Sequence, residues 1–141
     1  VRLVLDTSVL VAAFRSPAGA SRHLLRLVPQ NRFQIVATSA LFFEYETVLK
    51  RSVHVDVHGF SDEEIDRFLL LLAGYVDKPT IYYQWRPQLN DPDDELVLEA
   101  AISGQADAVI THNIADFLPA ANHFGIQVVT PGSILKARFR P

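Results

Sequence analysis

Short apolar runs alternate with stretches of helical periodicity along this chain, and each run closes on a polar side chain. Val1-Arg2-Leu3-Val4-Leu5 closes on Asp6, Gln34-Ile35-Val36-Ala37 on Thr38 and Ser39, and Ala108-Val109-Ile110 on Thr111. Gln127-Val128-Val129 is a fourth, followed by Thr130 and a helix start at Pro131. Runs this brief and this uniformly apolar suit strands covered on both faces, as in a parallel sheet. The stretches between them are long enough for the crossover connections that parallel strands require. The expected fold is therefore α/β: a three-layer α/β/α sandwich with a mainly parallel central sheet. A single domain over residues 1–141 is expected, because no linker, repeat or low-complexity tract divides the chain.

The helices have readable starts and faces. Asp6-Thr7-Ser8 offers caps for residues 9–14, Ser16-Pro17-Ala18-Gly19 is a turn, and residues 21–28 turn Leu24, Leu25, Leu27 and Val28 inward. Thr38 or Ser39 caps a helix over residues 40–51, in which Leu41, Tyr45, Val48 and Leu49 form an apolar stripe. Glu44 lies next to that stripe and so points inward, which is costly unless it meets a cation; at the rim it would reach water instead. Glu46 is solvated or pairs with Lys50 four residues on. Residues 52–60 read as an exposed connector, with a strand carrying His54, Asp56 and His58 on one face as the alternative. Ser61-Asp62-Glu63-Glu64 is a capping box for a helix over residues 65–76, with Phe68, Leu69, Leu71 and Leu72 inward. Pro79-Thr80-Ile81-Tyr82-Tyr83 is a strand or extended connector, and Trp85 packs at a rim or stacks on a base. Gly104 suits a helix C-terminus, and residues 122–126 read as a loop.

The acids carry the functional argument. Asn90-Asp91-Pro92-Asp93-Asp94-Glu95 holds more carboxylates than one helix cap needs. Solvated over-capping is one explanation. The placing of other acids favours a second. Asp6 and Asp116 both follow predicted strands, where open α/β sheets bind ligands. Glu44 comes from a neighbouring helix. Asp6 also suits an N-cap. Carboxylates gathered at one sheet edge repel unless neutralised, and the three acidic strand-end stretches contain no suitable Lys or Arg. A hard cation such as Mg²⁺ or Mn²⁺ is the expected partner, and such a centre suits phosphodiester hydrolysis.

Composition narrows the classes. The formal charge of −3 argues against a protein that coats nucleic acid by bulk electrostatics. The longest apolar runs fall well short of about 20 residues, so no membrane partner is expected. The absence of cysteine excludes disulfides and thiolate metal sites. With no secretory-type leader pattern at the start, a cytoplasmic setting is expected.

Four segments together resemble the PIN domain family. They are Val4-Leu5-Asp6-Thr7-Ser8-Val9-Leu10, residues 39–49 with Glu44, Asp91-Pro92-Asp93-Asp94 before residues 96–101, and Val109-Ile110-Thr111-His112-Asn113 with Asp116-Phe117. The resemblance implies a metal-dependent endoribonuclease, as in the toxins of toxin–antitoxin pairs. It implies Asp6, Glu44, Asp94 and Asp116 as catalytic acids, with Asp6, Asp94 and Asp116 on the metal, and Ser8, Thr111 and Asn113 in support. Asp94 is preferred over Asp91 and Asp93 because it directly precedes the helix. Asn113 stands where many relatives have Asp, which removes a charge and weakens the case for a second metal. An RNA substrate, a small antitoxin and a homodimer are the implied partners. Arg15, Arg22, Lys50, Arg51 and the tail bearing Lys136, Arg138 and Arg140 are candidates for holding RNA. Two other classes remain: a non-catalytic binding module of the same fold, and a phospho-receiver domain. The latter would need a Lys after a late strand, which this chain lacks.

Overall fold

The first strand, β1 (Arg2–Leu5), lies at the centre of a five-stranded, all-parallel sheet. Its last three residues are completely buried, which is why no polar alternation appears in its sequence. The computed structural model describes residues 1–80, 89 and 91–138, excepting the side chain of Arg138. After β1 come α1 (Thr7–Arg15), α2 (Ala20–Leu27), a 3₁₀ turn (Val28–Gln30) and β2 (Gln34–Val36). Next are α3 (Ser39–Leu49), α4 (Ser52–His58), α5 (Asp62–Ala73) and the two-residue edge strand β3 (Val76–Asp77). The chain returns through α6 (Pro92–Ser103), β4 (Ala108–Ile110), a 3₁₀ turn (Ile114–Asp116), α7 (Leu118–His123), β5 (Gln127–Val129) and α8 (Pro131–Arg138). This is the expected three-layer α/β/α sandwich.

Strand order is β3-β2-β1-β4-β5. The chain first moves outward from β1 to β2 and β3, then comes back to lay β4 on the other side of β1. The reversal falls between β1 and β4, where Leu3 pairs with Ala108, Val4 with Val109 and Leu5 with Ile110. Ligands of open parallel sheets bind beyond the strand ends at such a switch point. The residues that follow these two strands are Asp6 and Thr111.

Four local readings need correction. Residues 52–58 are a helix, not a connector or strand, and Gly59 ends it with φ 73 in the left-handed region. The ring of His58 packs edge-on to Phe14 at 5.3 Å and lies 5.4 Å from Phe60. Its Nδ1 accepts from the Phe60 N–H at 2.9 Å while Nε2 faces the Leu49 carbonyl at 3.1 Å. Both ring nitrogens serve the backbone, so His58 is no metal ligand. Secondly, the helix predicted to reach Val76 stops at Ala73, and Val76 pairs with Ile35 as a strand. The amide of Gln34 holds this edge by donating to the Tyr75 carbonyl at 2.8 Å. Thirdly, Leu71 is largely exposed while Leu69 and Leu72 are buried. Fourthly, residues 118–123 are helical where part of that stretch was read as loop; Pro119 sits in the first turn, where it needs no hydrogen-bonding N–H.

The caps behaved as their chemistry requires. Thr38 caps α3 by accepting from the Leu41 N–H at 3.1 Å, and Ser61 with Glu64 forms the reciprocal capping box of α5. Of the strand or connector expected over residues 79–83, Pro79 and Thr80 are in no strand; residues 81–83, Trp85, Asn90 and Arg140 lie outside the described residues.

Gly104 ends α6 against β2. A Cβ there would stand 2.3 Å from Val36 Cγ1 and 3.0 Å from the Ala100 carbonyl oxygen. Val36 is buried and β-branched, so it has little room to turn away. Gly104→Ala is expected to cost about 1–3 kcal/mol by overpacking. Urea unfolding of the two proteins checks this; an unchanged midpoint would show that β2 gives way freely.

Candidate active site

Asp6 extends the β1–β4 ladder by one step, its N–H donating to the Ile110 carbonyl at 2.9 Å. It occupies the N-cap position of α1, but its side chain makes no capping bond. Instead its Oδ2 accepts two hydroxyls, Ser8 Oγ at 2.7 Å and Thr111 Oγ1 at 2.7 Å. Each hydroxyl is oriented in turn by a backbone donor. The His112 N–H reaches Ser8 Oγ at 3.1 Å, and the Asn113 N–H reaches Thr111 Oγ1 at 2.9 Å. A hydroxyl that accepts one bond while donating another is polarised, and a closed network of this kind locks its carboxylate in place. Asp6 is buried, yet among the described residues its Oδ1 has only the Thr7 hydroxyl at 3.5 Å. Beneath it, the buried Tyr45 hydroxyl donates to the Leu5 carbonyl at 2.5 Å. Burial, and secondly the Asp6 charge, raises the Tyr45 phenol far above its ordinary range, so it stays a donor.

The acidic turn divides its work. Asp91 is the cap of α6 and accepts from the Asp93 N–H at 2.9 Å, with Pro92 in the first turn. Asp94 is half-buried, and its carboxyl is pushed up to about 7. Burial is the largest cause, followed by the charges of Asp6, Asp91, Asp116 and Asp93. Asp116 sits exposed on the 3₁₀ turn after β4. Asp91, Asp94 and Asp116 line one open cleft of ≈ 410 Å³ with Leu89, Ala115, Pro119 and Ala120. Among the described residues, Asp6, Asp94 and Asp116 have no ion-pair partner. By contrast, Asp77 at the sheet edge is neutralised by Arg2 at 2.7 Å.

Glu44 has its own set of charged neighbours. Its carboxylate faces Asp93 and Arg51, and neither Asp6 nor Asp94 is among the charges that shift it. The side chain is 14% exposed, with Arg51 Nη2 3.5 Å from its Oε1. Among the described residues that buried oxygen has no hydrogen-bond partner. Burial chiefly, then the Asp93 charge, raises the Glu44 carboxyl, and Arg51 opposes the rise. Asp94 thus links the charges of Asp6 and Asp116, and the Glu44–Asp93 pair adjoins this trio, with Asp91 and Asp93 acting on Asp94 as well.

Sequence reasoning missed Asp93 and Arg51 as neighbours of Glu44. Arg51 follows Glu44 by seven residues, two helical turns, which was the available signal. It also missed the buried Glu95, which accepts from the Leu89 N–H, and the contact of Ser21 Oγ with His112 Nε2 at 2.8 Å. Of the candidate RNA-holding bases, Lys50 is held by Glu46 at 2.7 Å and Asp66 at 2.6 Å. Arg22 Nε donates to the Ala13 carbonyl at 2.7 Å. Arg15 approaches His54 Nδ1 at 3.3 Å, and Lys136 is exposed on α8.

The donor set fits a hard divalent cation: every free group in the trio is a carboxylate oxygen, and the charges lack a basic partner. Among the described residues, no three Asp, Glu or His side chains are grouped closely enough for one ion to bind them all directly. Mg²⁺ retains several waters and needs only one or two carboxylates, with water spanning to the others.

Fold and site together define a parallel α/β protein with an acidic cleft at the switch point of its sheet. The chain belongs to the PIN domain family, which it matches over residues 2–115. PIN domains are typically nucleases and usually use divalent metal ions. The match ends one residue before Asp116. No curated protein matched the chain. Among the described residues, no helix is long and apolar enough to cross a membrane.

Proposed function

We propose that this chain is a Mg²⁺- or Mn²⁺-dependent endoribonuclease, the toxin of a toxin–antitoxin pair, working in the cytoplasm. The observation that carries the reading is Asp6. Two hydroxyls fix it at the switch point of the sheet, Asp94 feels both its charge and that of Asp116, and none of the three has a basic partner among the described residues. Asp6, Asp94 and Asp116 would hold the ion directly or through water, with Ser8 and Thr111 orienting Asp6 and Asn113 bordering the site. When bound, the ion would polarise a phosphoryl oxygen and acidify a water. Glu44, raised towards neutrality, suits a group that accepts the proton of the attacking water. In-line attack would leave a 5′-phosphate and a 3′-hydroxyl. Arg15 and Arg51 are the bases best placed to hold the RNA backbone. Lys50 is engaged by two carboxylates.

A homodimer or a small antitoxin also belongs to this reading. Support comes from the exposed Phe43 and Leu70 beside a largely apolar cleft of ≈ 600 Å³ formed by α3 and α5. A non-catalytic RNA-binding role is the second reading, favoured by the neutral Asn113.

Cleavage of end-labelled single-stranded RNA tests the first reading. Mg²⁺ or Mn²⁺ is expected to support internal cuts bearing 5′-phosphates, EDTA to abolish them, and DNA of the same sequence to be spared. RNA that binds but stays whole with either ion would leave the binding role standing instead.

A further inference from the structure

We propose that Arg51 stands in for a second cation at the Glu44–Asp93 pair, so that the acids work with one divalent ion and one guanidinium. The inference rests on the metal-dependent reading above. Its basis is the uneven neutralisation of the acids. The trio of Asp6, Asp94 and Asp116 has no ion-pair partner among the described residues, while Arg51 Nη2 stands 3.5 Å from Glu44 Oε1 and 3.9 Å from Asp93 Oδ2. One guanidinium thus spans a carboxylate from α3 and another from α6.

The backbone of Arg51 is well anchored. Its N–H donates to the Val48 carbonyl at 3.2 Å, and its own carbonyl accepts from His54 and Val55, each at 3.0 Å. The side chain is 49% exposed, so its reach across the cleft is set by charge and not by packing. Among the described residues Glu44 Oε1, buried without a hydrogen bond, has this guanidinium as its only nearby positive charge. A divalent ion bound by Glu44 and Asp93 would be repelled by this positive charge, most strongly at the buried Glu44 oxygen. The guanidinium therefore keeps a second ion out while keeping the Glu44 carboxylate aimed. Arg51 is in this sense a positioning residue: it acts through Glu44.

Arg51 also marks a border. His54 feels the charges of both Arg15 and Arg51, and Arg15 Nη2 is 3.3 Å from His54 Nδ1. A phosphate drawn to these bases would compete with Glu44 and Asp93 for Arg51.

Mn²⁺ binding to the full chain without RNA, followed by calorimetry and by electron paramagnetic resonance, tests the proposal. The parent and Arg51→Lys are expected to take up one ion. Arg51→Gln should take up a second, at least about tenfold tighter than any second event in the parent. Adding Asp93→Asn to Arg51→Gln should remove the second ion, which locates it. If Arg51→Gln keeps the parent's stoichiometry and affinities while its circular dichroism is unchanged, the role given to Arg51 is wrong although the metal reading stands. If the parent binds two ions equally well, the role is also wrong. If no variant binds Mn²⁺ at all, both the role and the metal-dependent reading fall.

Discussion

Asp6→Asn is expected to lower metal-dependent RNA cleavage by at least about a thousandfold, equivalent to about 4 kcal/mol of transition-state stabilisation, with the fold intact. Asn has the shape of Asp and keeps one carbonyl-type oxygen. That oxygen can still accept from Ser8 and Thr111, whose hydroxyls stand 2.7 Å from Oδ2 in the parent. The amide nitrogen then takes the place of Oδ1, which among the described residues has only the distant Thr7 hydroxyl. The local geometry survives, and what disappears is the charge and the lone pair offered to a cation. Single-turnover cleavage, Mn²⁺ affinity and circular dichroism measured together make the test. Loss of cleavage and of Mn²⁺ affinity with an unchanged spectrum is the expected set. A variant that still cleaves within about tenfold of the parent would show that the ion is held elsewhere.

Asp94→Asn should separate stability from activity. In the metal-free protein the Asp94 carboxyl is raised from 3.8 to about 7 by burial and by four neighbouring aspartates. A carboxyl raised in the folded state contributes stability that is complete below its unfolded value. That contribution is lost as pH climbs through the folded value. Metal-free parent protein should thus weaken between about pH 4 and pH 7 and remain weaker above. The full shift would be worth about 4 kcal/mol at high pH, and solvent screening of a half-exposed group reduces this to about 1–2 kcal/mol. The Asn variant has no charge to lose. At pH 8 without metal it should melt about 3–8 °C above the parent, and at pH 4 the two should nearly coincide. Saturating Mg²⁺ reverses the order. An ion at 100 times its Kd adds about 2.7 kcal/mol to the parent and little to the variant, whose RNA cleavage should be lost. Thermal melts at the two pH values, with and without Mg²⁺, decide it. A parent that melts at the same temperature at pH 4 and pH 8 without metal would show that Asp94 carries no uncompensated charge.

The strands were legible because their chemistry is local. Residues covered on both faces must be apolar, and β1, β2, β4 and β5 read that way directly. β3 did not, since a two-residue edge strand after Gly74 has too little pattern to detect. The stretch Val53-His54-Val55-Asp56-Val57-His58 alternates like a strand, yet forms α4. Aromatic packing on Phe14 and Phe60, and backbone bonds through both His58 nitrogens, outweigh that pattern. The C-terminal end of α5 failed for a related reason. Leu70 and Leu71 belong to an apolar run, but of that run Phe68, Leu69 and Leu72 are the residues on the covered face.

What the amino-acid order determined without help was the fold class, the positions of Asp6 and Thr111 at the ends of two strands, and the surplus of carboxylates at the start of α6. Each follows from local covering and capping needs that a neighbour in sequence can satisfy. Tertiary structure alone decided how those acids are grouped. β1 and β4 are adjacent only because the chain reverses direction in the sheet, and that adjacency joins Thr111 to Asp6 across more than a hundred residues. The packing of α3 beside α6 sent Glu44 to Asp93, and the turn into α4 brought Arg51 between them. Charges interact through space with a strength set by distance and burial, and neither quantity is written along the chain.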